Sequence, residues 1–186
     1  MKIISIHRKQ KLERLIPQLK NGETSAQKEL FERFSPKMLS VCRSYVKDLH
    51  HAEDCMLKAF VKVFKNINSF ESNGSFEGWV RRIMVNECLD FLKLRKDEIY
   101  IDEFFHEDQS TEDIQSDYYF DAQELLDQLP SIYRVVFNLF VLEDYSHKEI
   151  AKTLEISESA SKTQLLRAKR KLKEILLQQN RKINEN

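Results

Sequence analysis

Apolar positions recur along most of this chain at intervals of three and four, the spacing that gathers side chains on one face of an α-helix. Leu12, Leu15, Ile16 and Leu19 mark a first helix, which Pro17 is expected to kink or restart. Asn21 and Gly22 break the pattern, and Ala26, Leu30, Phe31 and Phe34 resume it from near Thr24. Ser35-Pro36 is expected to start a separate helix carrying Met38, Leu39, Val41, Cys42, Tyr45 and Val46, because proline is tolerated in a first turn. A longer helix is predicted from about His51 to Ile67, with Ala52, Cys55, Met56, Ala59, Phe60, Val63, Phe64 and Ile67 inward. The polar stretch FESNGSF, Phe70 to Phe76, interrupts the period. A last stripe follows with Trp79, Ile83, Met84, Cys88, Leu89 and Leu92, ending in Lys93, Arg95 and Lys96.

After this block the period fails. The centre of the next segment, His106 to Ser116, holds too little apolar surface to pack and is expected to be extended or disordered. From Ala122 the helical pattern returns with Leu125 and Leu126, stops at Leu129-Pro130, and resumes with Val135, Val136, Leu139, Phe140 and Leu142. Ser146 to Leu172 then reads as two helices with a tight turn. Ile150, Ala151 and Leu154 line the first, Ile156 closes the turn, and Ser157 is placed to cap the second with Glu158 in its first turn. Leu165, Ala168 and Leu172 face inward on that second helix, and Lys162, Thr163, Gln164, Arg167 and Arg170 are expected to face outward. This pattern fits a helix-turn-helix whose second helix enters the major groove of DNA. A helical hairpin with a solvated basic face would share it. The predicted fold is all-α: two small helical domains, 9–96 and 121–178, joined by an acidic linker, 97–120.

Charge sharpens this division. The net charge over 186 residues is zero, but Asp97 to Asp127 contains twelve acidic residues and no Lys or Arg. The sequence before it is net plus eight and the sequence after it net plus four. Two basic blocks around an acidic one suit two nucleic-acid-binding modules and a tether. Three glycines and three prolines argue against a loop-rich β protein. Cys42, Cys55 and Cys88 form no CxxC pair and read as small buried residues of a reducing compartment. His50 and His51 stand near Glu53 and Asp54, but no second ligand cluster follows, so no metal and no other cofactor is expected. No apolar run is long enough to span a bilayer and MKIISIHR is too short for a signal peptide, so a cytoplasmic protein without membrane insertion is expected. With no phosphate-binding glycine loop and no nucleophile and base pairing, an enzyme is not expected; Tyr133, His147 and Cys88 read as packing or surface residues.

The first basic block carries a second candidate site. Asn68, Ser72, Asn73 and Ser75, bracketed by Phe70 and Phe76, precede a helix with Trp79, Arg81, Arg82 and Asn86. Small polar groups can bond the edges of an unstacked base, aromatic rings can stack beside it and arginines can hold phosphates. Phe70, Phe76 and Trp79 serve equally well as core.

At this point the chain resembles the sigma factors of bacterial RNA polymerase, specifically the extracytoplasmic-function (ECF) group of the sigma-70 family. HAEDCMLKAFVKVFKNI is similar to the segment that docks on the polymerase clamp. SFESNGSFEGWVRRIMVNECLDFLKLRK is similar to the promoter-melting segment, and LPSIYRVVFNLFVLEDYSHKEIAKTLEISESASKTQLLRAKRKL to the family's fourth domain. The resemblance implies that Glu53, Asp54, Lys58 and Phe60 bind core RNA polymerase. It implies that Asn68, Ser72, Asn73, Ser75, Trp79, Arg81, Arg82 and Asn86 serve the −10 element, where a flipped base is captured. Lys162, Thr163, Leu166, Arg167 and Arg170 would serve the −35 element, with Lys169 and Lys171 toward phosphates or solvent. The implied function is to direct core polymerase to chosen promoters and to help melt promoter DNA. An anti-sigma protein is the further implied partner, and the acidic tether would lie where RNA later runs. The chain departs from the family pattern at Leu57 and Lys58, where a Gln–Glu pair is common, and at Ser161, where a buried apolar residue is usual.

The alternative reading is a stand-alone helix-turn-helix regulator. It accounts for residues 128–176 but leaves the polar loop and WVRRIMVNECLDFL without a task.

Overall fold

The computed structural model describes residue 12 and residues 14–71, 74–95 and 121–184. The predicted linker 97–120, together with Ser72 and Asn73, lies outside the described residues. The chain divides into two compact units, one ending at Asp90 and the other beginning at Phe91. All described elements are helical.

In the first unit, residues 14–20 are helical and bury Leu15 and Leu19. Gly22 ends this turn in the left-handed region, φ 76°, which glycine adopts without Cβ strain, and its N–H reaches the Leu19 carbonyl. Helix α1, Thr24–Tyr45, then runs straight through Pro36. The separate helix expected from Ser35 does not form, for two physical reasons. Leu30, Phe34, Met38, Val41, Cys42 and Tyr45 make one continuous buried stripe across the proline, so breaking there would sacrifice the packing of both halves. Pro36 itself is exposed, as is Glu32, so water can serve the carbonyl that loses its helical partner.

Helix α2, Leu49–Lys65, begins two residues before the predicted start because Asp48 caps it, accepting a bond from His51 N at 2.8 Å. That bond, with the nearby imidazoles, holds the Asp48 carboxyl below its usual range. A short 3₁₀ turn, Ile67–Ser69, leads to the loop, and helix α3, Phe76–Lys93, closes the unit. Ser75 starts α3 by accepting from Gly78 N at 3.3 Å. The core joins Leu30 and Met38 of α1, Ala59, Phe60 and Val63 of α2, and Val80 and Met84 of α3, all essentially without exposure. The three cysteines converge here, one from each helix, as free buried thiols. Hydrogen bonds to Cys42 and Cys55, then burial, push the Cys88 thiol far up, which keeps it unreactive. Lys62 ties α2 to α3 through the carboxylates of Glu87 and Asp90, and the Glu87 bond raises its pKa.

In the second unit, Asp121 caps helix α4, Ala122–Asp127, by accepting from Gln123 N at 2.8 Å. Leu129 and Pro130 are buried at the break. Helix α5, Ser131–Val141, buries Ile132, Val135, Val136 and Leu139, and also Arg134, which is only 2% exposed and meets Asp127 at 3.4 Å. Leu142, expected on the inner stripe, is the exposed C-cap of this helix. Helices α6, His147–Leu154, and α7, Glu158–Asn184, form the helix-turn-helix, and α5 packs against both. The capping box at Ser146 is complete: its hydroxyl accepts from Glu149 N, and Glu149 returns a bond to Ser146 N. Glu155 closes α6 at φ 58°, and Ile156 N bonds the Ala151 carbonyl at 3.0 Å.

Candidate nucleic-acid interface

In the first unit the candidate site is a loop on an aromatic platform. Phe70 and Phe76 are buried and meet edge to face, with centroids 5.0 Å apart. The Trp79 ring lies 5.6 Å from one and 5.7 Å from the other and is only half-buried. Phe70 and Phe76 are therefore packing residues, and of the three rings Trp79 alone is open to a base. Beside Trp79 opens a cavity of about 370 Å³, lined by Ser69, Phe70, Glu71, Gly74, Ser75, Gly78, Trp79 and Arg82. Its walls combine ring surface, hydroxyls, the Glu71 carboxylate and the Arg82 guanidinium, so that ring and hydroxyls suit a planar polar ring and the guanidinium an adjoining phosphate. Asn68, Arg82 and Asn86 are exposed, the latter two one turn apart on α3, while Arg81 is half-buried. Gly74 holds φ 130°, a conformation that favours glycine, at the rim of the cavity.

The exposed face of α2 corrects one expectation. Phe60 is 2% exposed and packs on Phe31 at 4.9 Å, so it faces the core and not a partner. Glu53, Asp54 and Lys58 are on the accessible side. Leu57 and Val61, one turn apart and each about half exposed, share that side. The sequence signal for them was available: both are apolar residues that fall off the buried stripe.

In the second unit the candidate site is one face of α7. Ser157 caps its start, accepting from Ala160 N at 3.0 Å. Lys162, Thr163 and Leu166 are exposed, and Arg167 and Arg170 are half-exposed on the same side. Leu166, 59% exposed, is an apolar group presented to solvent within this polar face. Gln164 does not join them. It lies at the edge of the inner stripe beside Leu165 and is buried, correcting its expected outward position. Thr163 donates to the Ser159 carbonyl at 3.0 Å and is exposed. Lys162 pairs with Glu158 at 2.9 Å, and this bond holds the Glu158 carboxyl below its usual range. Because the pair is exposed, a DNA phosphate can displace it easily. Ser161 is fully buried, and its hydroxyl meets His147 Nδ1 at 2.9 Å.

The class that this fold and these surfaces define is a two-unit helical protein ending in a helix-turn-helix. The comparisons with known proteins make it specific. Residues 30–98 match the sigma-70 region 2 family and residues 119–172 match sigma-70, region 4. The chain is 26% identical over 180 residues to the ECF RNA polymerase sigma factor SigW of Bacillus subtilis, covering 89% of this chain and 96% of that one. It is 25% identical to the ECF sigma factor SigM of the same organism, covering 84% and 97% of the two chains. Among solved structures, the sigma factor RpoE of Bartonella quintana, crystallised with the anti-sigma factor NepR, is similar in fold. Its TM-score is 0.50 at 19% identity, over 80% of this chain and 95% of that one. This chain belongs to the sigma-70 family of RNA polymerase sigma factors, in its ECF group. Among the described residues no helix is long and apolar enough to cross a membrane.

Proposed function

We propose that the two units divide promoter recognition between them: the first captures a flipped base of the −10 element and the second reads the −35 duplex. The observation that carries this reading is the cavity beside Trp79, which joins that half-buried ring, Ser75 and Arg82 in one recess. A flipped base exchanges its stacking in DNA for contact with Trp79, and the hydroxyl groups meet its edges. That contact offsets an unstacking cost of a few kcal/mol. In this reading Asn68, Ser72 and Asn73 contact the captured base, and Arg81, Arg82 and Asn86 hold the flanking backbone. On α7, Arg167 and Lys162 pair guanine or phosphate, Thr163 and Leu166 offer methyl groups to thymine, and Arg170 takes a phosphate.

The accessible side of α2, with Glu53, Asp54, Leu57, Lys58 and Val61, is the polymerase-docking face in this proposal. Domains 9–96 and 121–178 then act as separate readers, with 97–120 as the tether. The protein works in the cytoplasm, performs no bond chemistry, and is restrained by an anti-sigma protein that covers the polymerase-binding faces. Each reader alone gains little, and core polymerase supplies the fixed spacing that gives both together avidity. Co-elution with bacterial core RNA polymerase on size exclusion tests this. Stable co-elution is expected, and the double change Leu57→Glu and Val61→Glu should abolish it while leaving melting unchanged. A folded protein that fails to co-elute with active polymerase, yet binds a specific duplex alone, would instead establish the stand-alone regulator.

A further inference from the structure

A buried hydroxyl destabilises a fold unless it is hydrogen-bonded. Ser161 has no exposure, and its hydroxyl lies 2.9 Å from Nδ1 of His147, fourteen residues earlier in the chain. The bond crosses the helix-turn-helix, from the first residue of α6 to the first turns of α7. His147 is itself held from α5: its ring stacks on Phe140, with centroids 4.7 Å apart and planes at 25°. The ammonium of Lys169 lies 5.9 Å from the same Phe140 ring, two turns along α7 from Ser161. Helix α7 is thus tied to α6 through Ser161, on the side away from its proposed DNA face, while the exposed Lys169, two turns along from Lys162, meets α5 at the edge of that face.

The kind of contact matters. An apolar side chain at Ser161 would pack against several orientations of its neighbour. A hydrogen bond weakens steeply once its angle departs from linear, so it also fixes rotation. Ser161 immediately precedes Lys162 and Thr163, so a rotation of α7 at this point moves both of them across the groove. We propose that His147 is a positioning residue for promoter recognition, holding the DNA-facing start of α7 at one rotation through its bond to Ser161. This rests on the assignment of α7 as the duplex reader. Among the described residues, His147 itself touches none of the proposed DNA contacts in this arrangement and acts through Ser161 alone.

The test uses holoenzyme reconstituted from the full chain and core polymerase, on a promoter mapped with that holoenzyme. Binding is measured for this DNA and for the same DNA with the upstream element substituted, and each variant is melted in parallel. His147→Phe keeps the ring against Phe140 and removes the nitrogen, and Ser161→Ala removes the hydroxyl. Each should lower discrimination between the two DNAs by about tenfold, a loss of the size of one missing base contact. The double variant should be no worse than either single one. His147→Asn, whose amide reaches the place of Nδ1, should restore discrimination, which a purely structural role would not predict. If His147→Phe does not fold, His147→Asn and Ser161→Ala decide by the same criteria. Discrimination equal to wild type in the variants, additive losses, or no recovery with Asn would overturn the positioning role. A wild type that does not discriminate at all would overturn the assignment of α7 as well, so the two failures are distinguishable.

Discussion

The two candidate DNA surfaces are built in opposite ways. In the second unit the readers stand on a continuous helix, and the helical period alone decides which side chains reach outward. In the first unit they stand on a loop and the start of a helix, and three rings packed edge to face or tilted decide what is open. Ser157 and Ser146 cap the helices of the one, whereas Phe70 and Phe76 support the other from below. A helix edge survives the loss of a single contact because its backbone bonds persist. A loop on an aromatic platform depends on that platform.

Perturbations of decreasing size separate the two designs. Phe76→Ala should cost the first unit about 3–5 kcal/mol, as expected for truncating a buried aromatic ring. Trp79 is the only tryptophan in the chain and sits on that platform, so its fluorescence in a urea titration reports the first unit. Ile150→Ala, at the centre of the helix-turn-helix, should cost the second unit about 2–5 kcal/mol and leave the tryptophan transition in place. A shared transition for both variants would show that the units fold as one.

Arg167→Ala should cost about 1–3 kcal/mol of holoenzyme binding and relax specificity at one upstream base pair, whereas Lys162→Ala should weaken binding uniformly and lower the salt slope by about one. Competition binding at several salt concentrations distinguishes the two. Lys62→Ala leaves the buried Glu87 carboxylate without its ammonium and should cost about 1–2 kcal/mol, less than a fully buried pair because Lys62 is half exposed. Its pKa is raised in the folded state, so the pair contributes fully below the usual lysine range and is lost as pH rises through the raised value. Alkaline unfolding of wild type and Lys62→Ala should therefore converge.

The smallest effect is expected at the capping box. Hydrogen bonds from the Ser146 hydroxyl and backbone hold the Glu149 carboxyl below its usual range. Its contribution is present above the unfolded carboxylate range and lost as pH falls through the lowered value. Glu149→Gln should flatten this part of the acid unfolding curve of the second unit, followed by circular dichroism, and change little at neutral pH.

What the sequence disclosed follows the same contrast. The period-of-3.6 stripes foretold α2, α5 and the helix-turn-helix, and the outward place of Lys162, Thr163, Arg167 and Arg170, because a helix converts spacing directly into direction. The stripe logic failed where a residue sat at its edge, as Gln164 does, or where a local signal competed with it, as Pro36 did. Proline chemistry predicted a new helix, but packing on both sides of Pro36 prevailed. Residue types alone left Phe70 and Phe76 ambiguous between core and base stacking, since the same ring serves either purpose, and only the packed loop separates them from Trp79. Phe60 belonged to the buried stripe, and periodicity gave its direction correctly where the family pattern suggested a contact. The His147 bond to Ser161 joins positions fourteen apart, and no local pattern announces such a pairing.

The division of labour is tested most directly by placing single abasic sites along the non-template strand of a mapped promoter and measuring holoenzyme binding. Wild type should lose affinity sharply at one position of the −10 element, where a base is captured. Trp79→Ala with Ser75→Ala should no longer respond to the abasic site at that position, whereas Arg167→Ala should respond as wild type does. A loop variant that keeps the full response to the missing base would contradict the account.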